Sequence, residues 1–221
     1  MSVLNLVREG AVWVLTLTGG ESRFNDTSLA AWLQALDTVE AGEGNAALVI
    51  TSADAKFFST GIDLEGVVGE FGQDYLMQTF VPKLDAFLLR LARFPMPVVV
   101  AMNGHAYGLG ALVAATADVR LMRADRGRFC FPEVDIKLPF TPIMSDVVKL
   151  LPSPAAAWQM AATGVAWGGQ EAQAAGVIDQ ALSAEELLPT AIAMATALAA
   201  KDRATYAVIK RQWRDRFDRH L

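Results

Sequence analysis

The sequence predicts an α/β domain built on parallel strands, and three observations carry that prediction. Strand-like and helix-like segments alternate through the first two-thirds of the chain, which calls for crossovers between parallel strands. Residues 47–51 and 98–102 are short apolar runs without alternation, the pattern of strands buried on both faces. Hydrophobic residues make up 53% and charged residues 19% of 221 positions, enough to fill one core without metal or disulfide staples.

Each element follows in order. Residues 12–18 alternate and are rich in β-branched side chains, so they read as a strand ended by Gly19-Gly20. Asn25 or Asp26 can cap a helix over 27–40, along which Trp32, Leu33, Leu36 and Val39 recur at helical spacing. The strand at 47–51 leads into a loop at 56–63. A helix over 73–93 stops at Phe94-Pro95-Met96-Pro97, because proline disfavours helix at the residue before it. The strand at 98–102 turns at Asn103-Gly104 into a small-residue helix over 109–117. Residues 119–122 and 129–131 read as short strands. After Pro132 the pattern is helical to the end, with breaks near Pro152, 164–169 and Ala181. The basic residues between Lys201 and His220, set among Tyr206, Ile209, Trp213 and Phe217, read as the wet face of an amphipathic helix. The change near residue 150 reads as a change of layer, which divides a core at 1–150 from a helical region at 151–221.

Composition and motifs exclude several functions. The net charge of −5, with no long Lys or Arg run, advertises neither a nucleic-acid nor an anionic-membrane surface. The most apolar stretches, 106–117 and 187–200, fall short of a membrane span. His105 and His220 lie far apart without Cys or carboxylate at ligand spacing, so no metal site is expected. Neither a nucleophile elbow nor a phosphate-cradling loop is present, and Gly108-Leu109-Gly110 lacks the third glycine of a dinucleotide turn. Cys130 is the single cysteine and sits in Phe129-Cys130-Phe131, which suits a buried, inert thiol in a reducing compartment. Residues 1–9 lack a basic region followed by an apolar run, and Arg219-His220-Leu221 is not the peroxisomal address. A cytoplasmic protein is expected.

Two segments stand out. Lys56-Phe57-Phe58-Ser59-Thr60-Gly61-Ile62-Asp63-Leu64 and Asn103-Gly104-His105-Ala106-Tyr107-Gly108-Leu109-Gly110-Ala111 each run from a strand end through a glycine turn towards a helix. Such turns leave free backbone N–H groups that suit an anion or a developing oxyanion. Glycines serving close packing alone would give the same spacing.

The pair resembles the crotonase (enoyl-CoA hydratase/isomerase) family, whose pattern reads Lys-x-Phe-x-x-Gly-x-Asp-Leu and then Asn-Gly-x-Ala-x-Gly-x-Gly. The likeness extends to Phe94-Pro95-Met96-Pro97-Val98, Asp118-Val119-Arg120-Leu121-Met122, Phe131-Pro132-Glu133-Val134, and Gln170-Glu171-Ala172 through Gly176-Val177-Ile178-Asp179. It is collinear from about residue 12 to 210. The resemblance implies the crotonase (ClpP/crotonase) fold, with stacked ββα units and a helical C-terminal region packing on the core or a neighbouring subunit. It implies an acyl-CoA substrate, no metal or redox cofactor, and a homotrimer or dimer of trimers. It places the N–H groups of Thr60 and Leu109 as the oxyanion hole, with Ser59, Gly61, Ile62 and Gly108 around the bound thioester.

The carboxylates then bear on the reaction. The family's hydratases use two glutamates; here Leu112 stands at the first position and Glu133 at the second. One carboxylate suffices to take a proton from C2 and return it at C4, and the resemblance is nearest to the Δ3,Δ2-enoyl-CoA isomerases. Phe129, Phe131, Val134, Leu138 and Phe140 around Glu133 are expected to desolvate it and raise its proton affinity. Pairing with Arg128 is the structural alternative. Asp63 is expected to cap a helix, His105 to pack, and Asp135 to face away from Glu133 if the segment is extended. Thioester hydrolysis, decarboxylation and a silent acyl-CoA-binding role stay open on the sequence alone.

Overall fold

A computed structural model describes residues 3–221, so the first two residues of the stretch read for a leader lie outside it. Among the described residues, six strands form the main sheet in the order β1-β2-β3-β5-β7-β9. β1 (Leu4–Glu9) and β2 (Val12–Leu17) form an antiparallel hairpin. β3 (Ala47–Ser52), β5 (Val98–Met102), β7 (Val119–Arg123) and β9 (Gln180–Leu182) continue from β2 in parallel. A second sheet of three short parallel strands takes β4 (Phe57–Ser59), β6 (His105–Tyr107) and β8 (Phe129–Cys130) in that order.

The chain visits the two sheets alternately. β3 and β4 lead to α2 (Leu64–Phe71), and β5 and β6 lead to α5 (Leu109–Thr116). This is the stacked ββα repeat that the resemblance implies.

Burial explains the apolar runs. One face of the main sheet packs, through Leu15, Leu48, Ile50 and Val100, on α1 (Asp26–Ala41) and α4 (Val81–Ala92), which contribute Trp32, Leu36, Phe87 and Leu88. The other face, through Val12, Val49, Val99 and Leu121, packs on α9 (Ala184–Ala199). Ala191, Ala195 and Ala199 recur every fourth residue there, so a flat small-residue face meets the sheet. With helices on both sides, β3 and β5 have no wet face to alternate towards.

Several expectations need correction. β1 was not foreseen, because as an edge strand it keeps Asn5, Arg8 and Glu9 in solvent and buries little. α2, by contrast, is the helix expected after the first glycine turn, and Asp63 caps it as expected by accepting the Gly66 N–H at 3.2 Å. The helix at 73–93 is α3 (Gln73–Tyr75), a π turn (Leu76–Phe80) and α4 in sequence. The stretch after Pro132 is not helical throughout. It opens with a turn, continues in α6 (Pro142–Val148), α7 (Pro154–Thr163) and α8 (Gly169–Ala174), and breaks near Ala181 as strand β9.

The C-terminal helix α10 (Arg203–Trp213) lies inside out relative to its expected faces. Lys210 and Arg214 are buried, whereas Ile209 and Trp213 are 59% and 85% exposed. The cause is Asp118, at the end of the loop entering β7. Its carboxylate accepts from Lys210 Nζ at 2.7 Å, Arg214 at 2.8 Å and the Val98 N–H at 2.8 Å. These partners hold its proton affinity low against the opposing effect of burial. Phe217 follows inside, as expected.

Removing Asp118 would strand two buried cations, which typically costs ~3–5 kcal/mol. Asp118→Ala is expected to lower the urea midpoint by a corresponding amount. A change below ~1 kcal/mol would mean that α10 is held by its apolar contacts alone.

Candidate active site

The second sheet sets the site, because its three strands are parallel and their C-terminal ends point the same way. The residues leaving β4, β6 and β8 are therefore delivered to one place. Those residues are Thr60 to Ile62, Gly108 to Leu109, and Phe131 to Glu133.

The first two turns touch through glycine. A β-carbon on Gly61 would sit 3.0 Å from the Leu109 nitrogen and 3.0 Å from the Tyr107 carbonyl oxygen. One on Gly110 would sit 2.5 Å from the Ser59 carbonyl oxygen. Gly61 also has φ 89°, which disfavours any side chain. The fit leaves no room for substitution at either residue.

Gly108 (φ 53°) reverses the chain so that α5 begins at Leu109. The first bond of that helix runs from the Leu112 N–H to the Gly108 carbonyl at 2.9 Å, so the Leu109 N–H precedes the intrahelical ladder. In the first turn, the bridge between Phe24 and Ile62 uses the Gly61 carbonyl and the Asp63 N–H, at 2.8 and 2.9 Å. It leaves the Ile62 N–H out. Ile62 and Leu109 both line the pocket that contains Glu133.

Thr60 does not occupy the place expected for it. Its N–H donates to the Glu21 carbonyl at 3.0 Å, and its hydroxyl also turns to Glu21. Ile62, two residues on, is the donor position on the pocket side. Ser59 is likewise turned away: its hydroxyl donates to the Ser22 carbonyl at 2.8 Å and accepts the Gly61 N–H at 3.2 Å. Gly61 acts as the contact between the turns. Gly108 stays at the site, since a β-carbon there would lie 3.7 Å from Glu133 Oε1.

Glu133 sits at the start of a turn, not on an extended segment. The Pro132 carbonyl accepts from Asp135 and Ile136 at 2.9 and 3.1 Å, and the Glu133 carbonyl accepts from Leu138 at 3.0 Å. This curls the chain so that the Glu133 side chain points inward, 7% exposed, while Asp135 lies exposed against Gly164. Arg128 does not neutralise Glu133; it pairs with Glu171 at 3.5 Å. Oε2 is buried with no hydrogen-bond partner in the protein. Burial therefore pushes the carboxyl up to about 7.

The lining is otherwise apolar. Ile62, Leu109, Leu112, Leu138 and Pro139 surround the carboxyl, with Met77, Val81, Met144 and Thr141 on the remaining wall. The Thr141 hydroxyl is engaged, donating to Asp85 at 2.6 Å and accepting the Met144 N–H at 3.1 Å. Glu133 is thus the single ionisable group lining the pocket, and Leu112 reaches it where a second carboxylate would stand. A wider cleft of ≈ 510 Å³, beside Glu21, Arg23 and Asp63, does not include Glu133. His105 packs between the Phe57 and Tyr107 rings. Cys130 donates to the Gly164 carbonyl at 3.1 Å, and burial pushes its thiol up to about 12.

Sequence reasoning missed the Ile62 N–H because its freedom depends on a bridge to Phe24, almost forty residues earlier. The remote wall from Met77 to Val81 carried no motif at all.

The chain is similar to known proteins in sequence and in fold. The sequence profile of the enoyl-CoA hydratase/isomerase family matches residues 8–221. The chain is 34% identical to enoyl-CoA delta isomerase 3 of Arabidopsis thaliana, over 93% of this chain and 90% of that one. It is 32% identical to the peroxisomal enoyl-CoA delta isomerase 2 of the same plant, over 89% and 85%. Among solved structures, an enoyl-CoA hydratase from Mycobacterium ulcerans Agy99 superposes with TM-score 0.87 at 26% identity, covering 98% and 93% of the two chains.

The raised carboxyl has a consequence for stability. The unfolded chain releases the Glu133 proton near 4.5 and the folded chain near 7, so the folded state holds more protons between those values. Stability attributable to this group is full below 4.5 and falls as pH rises through 7, by up to ~3 kcal/mol. Glu133→Gln should be ~1–3 kcal/mol more stable than wild type at pH 8 in urea unfolding, with the difference closing by pH 4. A variant less stable at pH 8 would show that the carboxylate has a stabilising partner.

Proposed function

The chain belongs to the enoyl-CoA hydratase/isomerase family, and from that premise we propose that it converts 3-enoyl-CoA to 2-enoyl-CoA by moving one proton with Glu133. The observation that carries this reading is the single buried carboxyl in an apolar pocket, flanked by two backbone N–H groups from separate turns. The names of the two plant relatives agree with it.

The chemistry follows from the arrangement. The C2 protons of a 3-enoyl thioester are acidified by both the carbonyl and the double bond. Glu133 takes one, and the electrons spread over a dienolate whose negative oxygen is held by the Ile62 and Leu109 N–H groups. Both donors are fixed before substrate arrives, so they need not reorganise as charge develops. The N-terminal end of α5 adds its dipole to the Leu109 donor. Glu133 then returns the proton at C4, which leaves the double bond conjugated with the thioester. Nothing is oxidised and no water is consumed.

A carboxyl near 7 is poised for both halves of this cycle. It accepts a carbon-bound proton more readily than an ordinary glutamate and still releases it. Hydration would need a second carboxylate to orient water, and Leu112 sets a hydrocarbon side chain in that place.

The reading assigns the reaction to residues 1–150, and gives 151–221 the role of covering the core and meeting neighbouring subunits. Exposed Ile209 and Trp213 on α10 offer apolar surface to a neighbouring subunit, and a homotrimer or a pair of trimers is the assembly proposed. No helix among the described residues is long and apolar enough to cross a membrane. A cytoplasmic location is proposed on the lone buried thiol, and cell fractionation distinguishes it from the peroxisomal placement named for two relatives. CoA enters as part of the substrate; no metal or redox cofactor is called for.

Purified protein given a 3-enoyl-CoA should generate the ultraviolet absorbance of the conjugated product. The rate should rise with pH about an apparent pKa near 7. Glu133→Gln should lower kcat by ~10²–10⁴. Release of free CoA would instead indicate hydrolysis, and full activity in Glu133→Gln would end the proposal.

A further inference from the structure

The pocket that holds Glu133 is too small for a fatty acyl chain as it stands. It measures ≈ 40 Å³, room for about three water molecules at the ~10–15 Å³ each requires. Leu138 and Pro139 form one of its walls. The far side of that wall faces a second cleft of ≈ 370 Å³, which also includes Glu133 and extends to Phe140 and Ala161. Phe140 and Ala161 in turn border a third, largely apolar cleft of ≈ 460 Å³, lined by Val148, Pro154, Ala157 and Trp158. Shared side chains therefore string the three cavities into one track that begins at the reacting carboxyl.

The wall is also the most lightly held part of the site. Val134 and Ile136 are each 50% exposed, Pro139 is exposed, and Leu138 is half-buried. Lys137 adopts a left-handed backbone (φ 58°). Backbone hydrogen bonds within the turn hold its shape, but few buried side chains anchor it to the core. Such a segment opens locally at low cost. On the opposite wall Val81, Leu109 and Leu112 belong to buried helices, and Met77, 41% exposed on the π turn, is the residue there that reaches the surface.

We infer that long acyl chains leave the reaction pocket past Leu138 and lie in the cleft over Phe140 and Ala161, reaching towards Trp158, so that Leu138 sets the acyl-length preference. The inference rests on the acyl-CoA reading above and extends it to the substrate's tail. An apolar tail suits this track. Each methylene that it buries should tighten binding about fourfold, or ~0.8 kcal/mol. A chain confined to the reaction pocket would gain nothing from added carbons.

The test compares six-carbon and twelve-carbon 3-enoyl-CoA in wild type, Leu138→Trp, Leu138→Ala and Ala161→Phe. The twelve-to-six ratio of kcat/KM should fall at least tenfold in Leu138→Trp and Ala161→Phe, and rise in Leu138→Ala. Two blocking positions guard against a misfolded variant. A second readout uses dodecanoyl-CoA, which cannot react: it should shift the emission assigned to Trp158 by difference from Trp158→Phe, whereas hexanoyl-CoA should not. Unchanged ratios in both blocking variants, or equal emission shifts with the two thioesters, would overturn the inference. Wild type that isomerises neither substrate while dodecanoyl-CoA still shifts Trp158 would overturn the isomerase reading and leave the acyl track standing.

Discussion

The contact between the Ser59–Gly61 turn and the start of α5 fixes the geometry on which the rest of the site depends. Gly61 lies where a β-carbon would press on the Leu109 nitrogen, and Gly110 lies where one would collide with the Ser59 carbonyl. Two donor-bearing turns are thereby locked at backbone-to-backbone distance. Side chains between them would hold the N–H groups apart and let the oxygen of a ligand move. The small parallel sheet performs the alignment, since pairing β4, β6 and β8 in parallel obliges all three turns to leave from one edge. The alignment of the two turns is a property of strand direction and missing side chains.

Glu133 shows the opposite economy. It is buried without a cation, its Oε2 has no partner, and its neighbours are hydrocarbon. An unpaired buried carboxyl is costly when charged, and its affinity for a proton rises accordingly. Asp118, half-buried in the loop entering β7, is treated differently. Lys210, Arg214 and a backbone N–H satisfy it, and its proton affinity moves down instead of up. One carboxylate ties the last helix to the sheet, while the other is left without a partner in the pocket where proton transfer is proposed. Environment alone separates the two roles.

Much of this could be read in the chain. Apolar runs at 47–51 and 98–102 told of strands covered on both sides, and α9 and the α1–α4 layer supply the covers. Desolvation of Glu133 was expected from Phe129, Phe131, Val134, Leu138 and Phe140; of these Leu138 alone lines its pocket, and Ile62, Leu109 and Leu112 supply the rest. What escaped depends on partners distant in sequence. Thr60 looked like a free donor until Glu21 was seen to accept its N–H; Ile62 gained that role through a bridge to Phe24. The hydrophobic periodicity of α10 pointed Ile209 and Trp213 inward, yet Asp118, about ninety residues earlier, draws Lys210 and Arg214 in instead. Local pattern reports what a segment prefers by itself, and a buried countercharge or a borrowed carbonyl overrides it.

The account turns on where a bound thioester places its oxygen. A crystal structure of Glu133→Gln soaked with a 3-enoyl-CoA tests this most directly. The account predicts the thioester oxygen within ~3 Å of both the Ile62 and Leu109 nitrogens, with C2 and C4 each within reach of the residue-133 amide. An oxygen bound at the Thr60 side, or an acyl group lodged in the cleft beside Glu21 and Arg23, would contradict it.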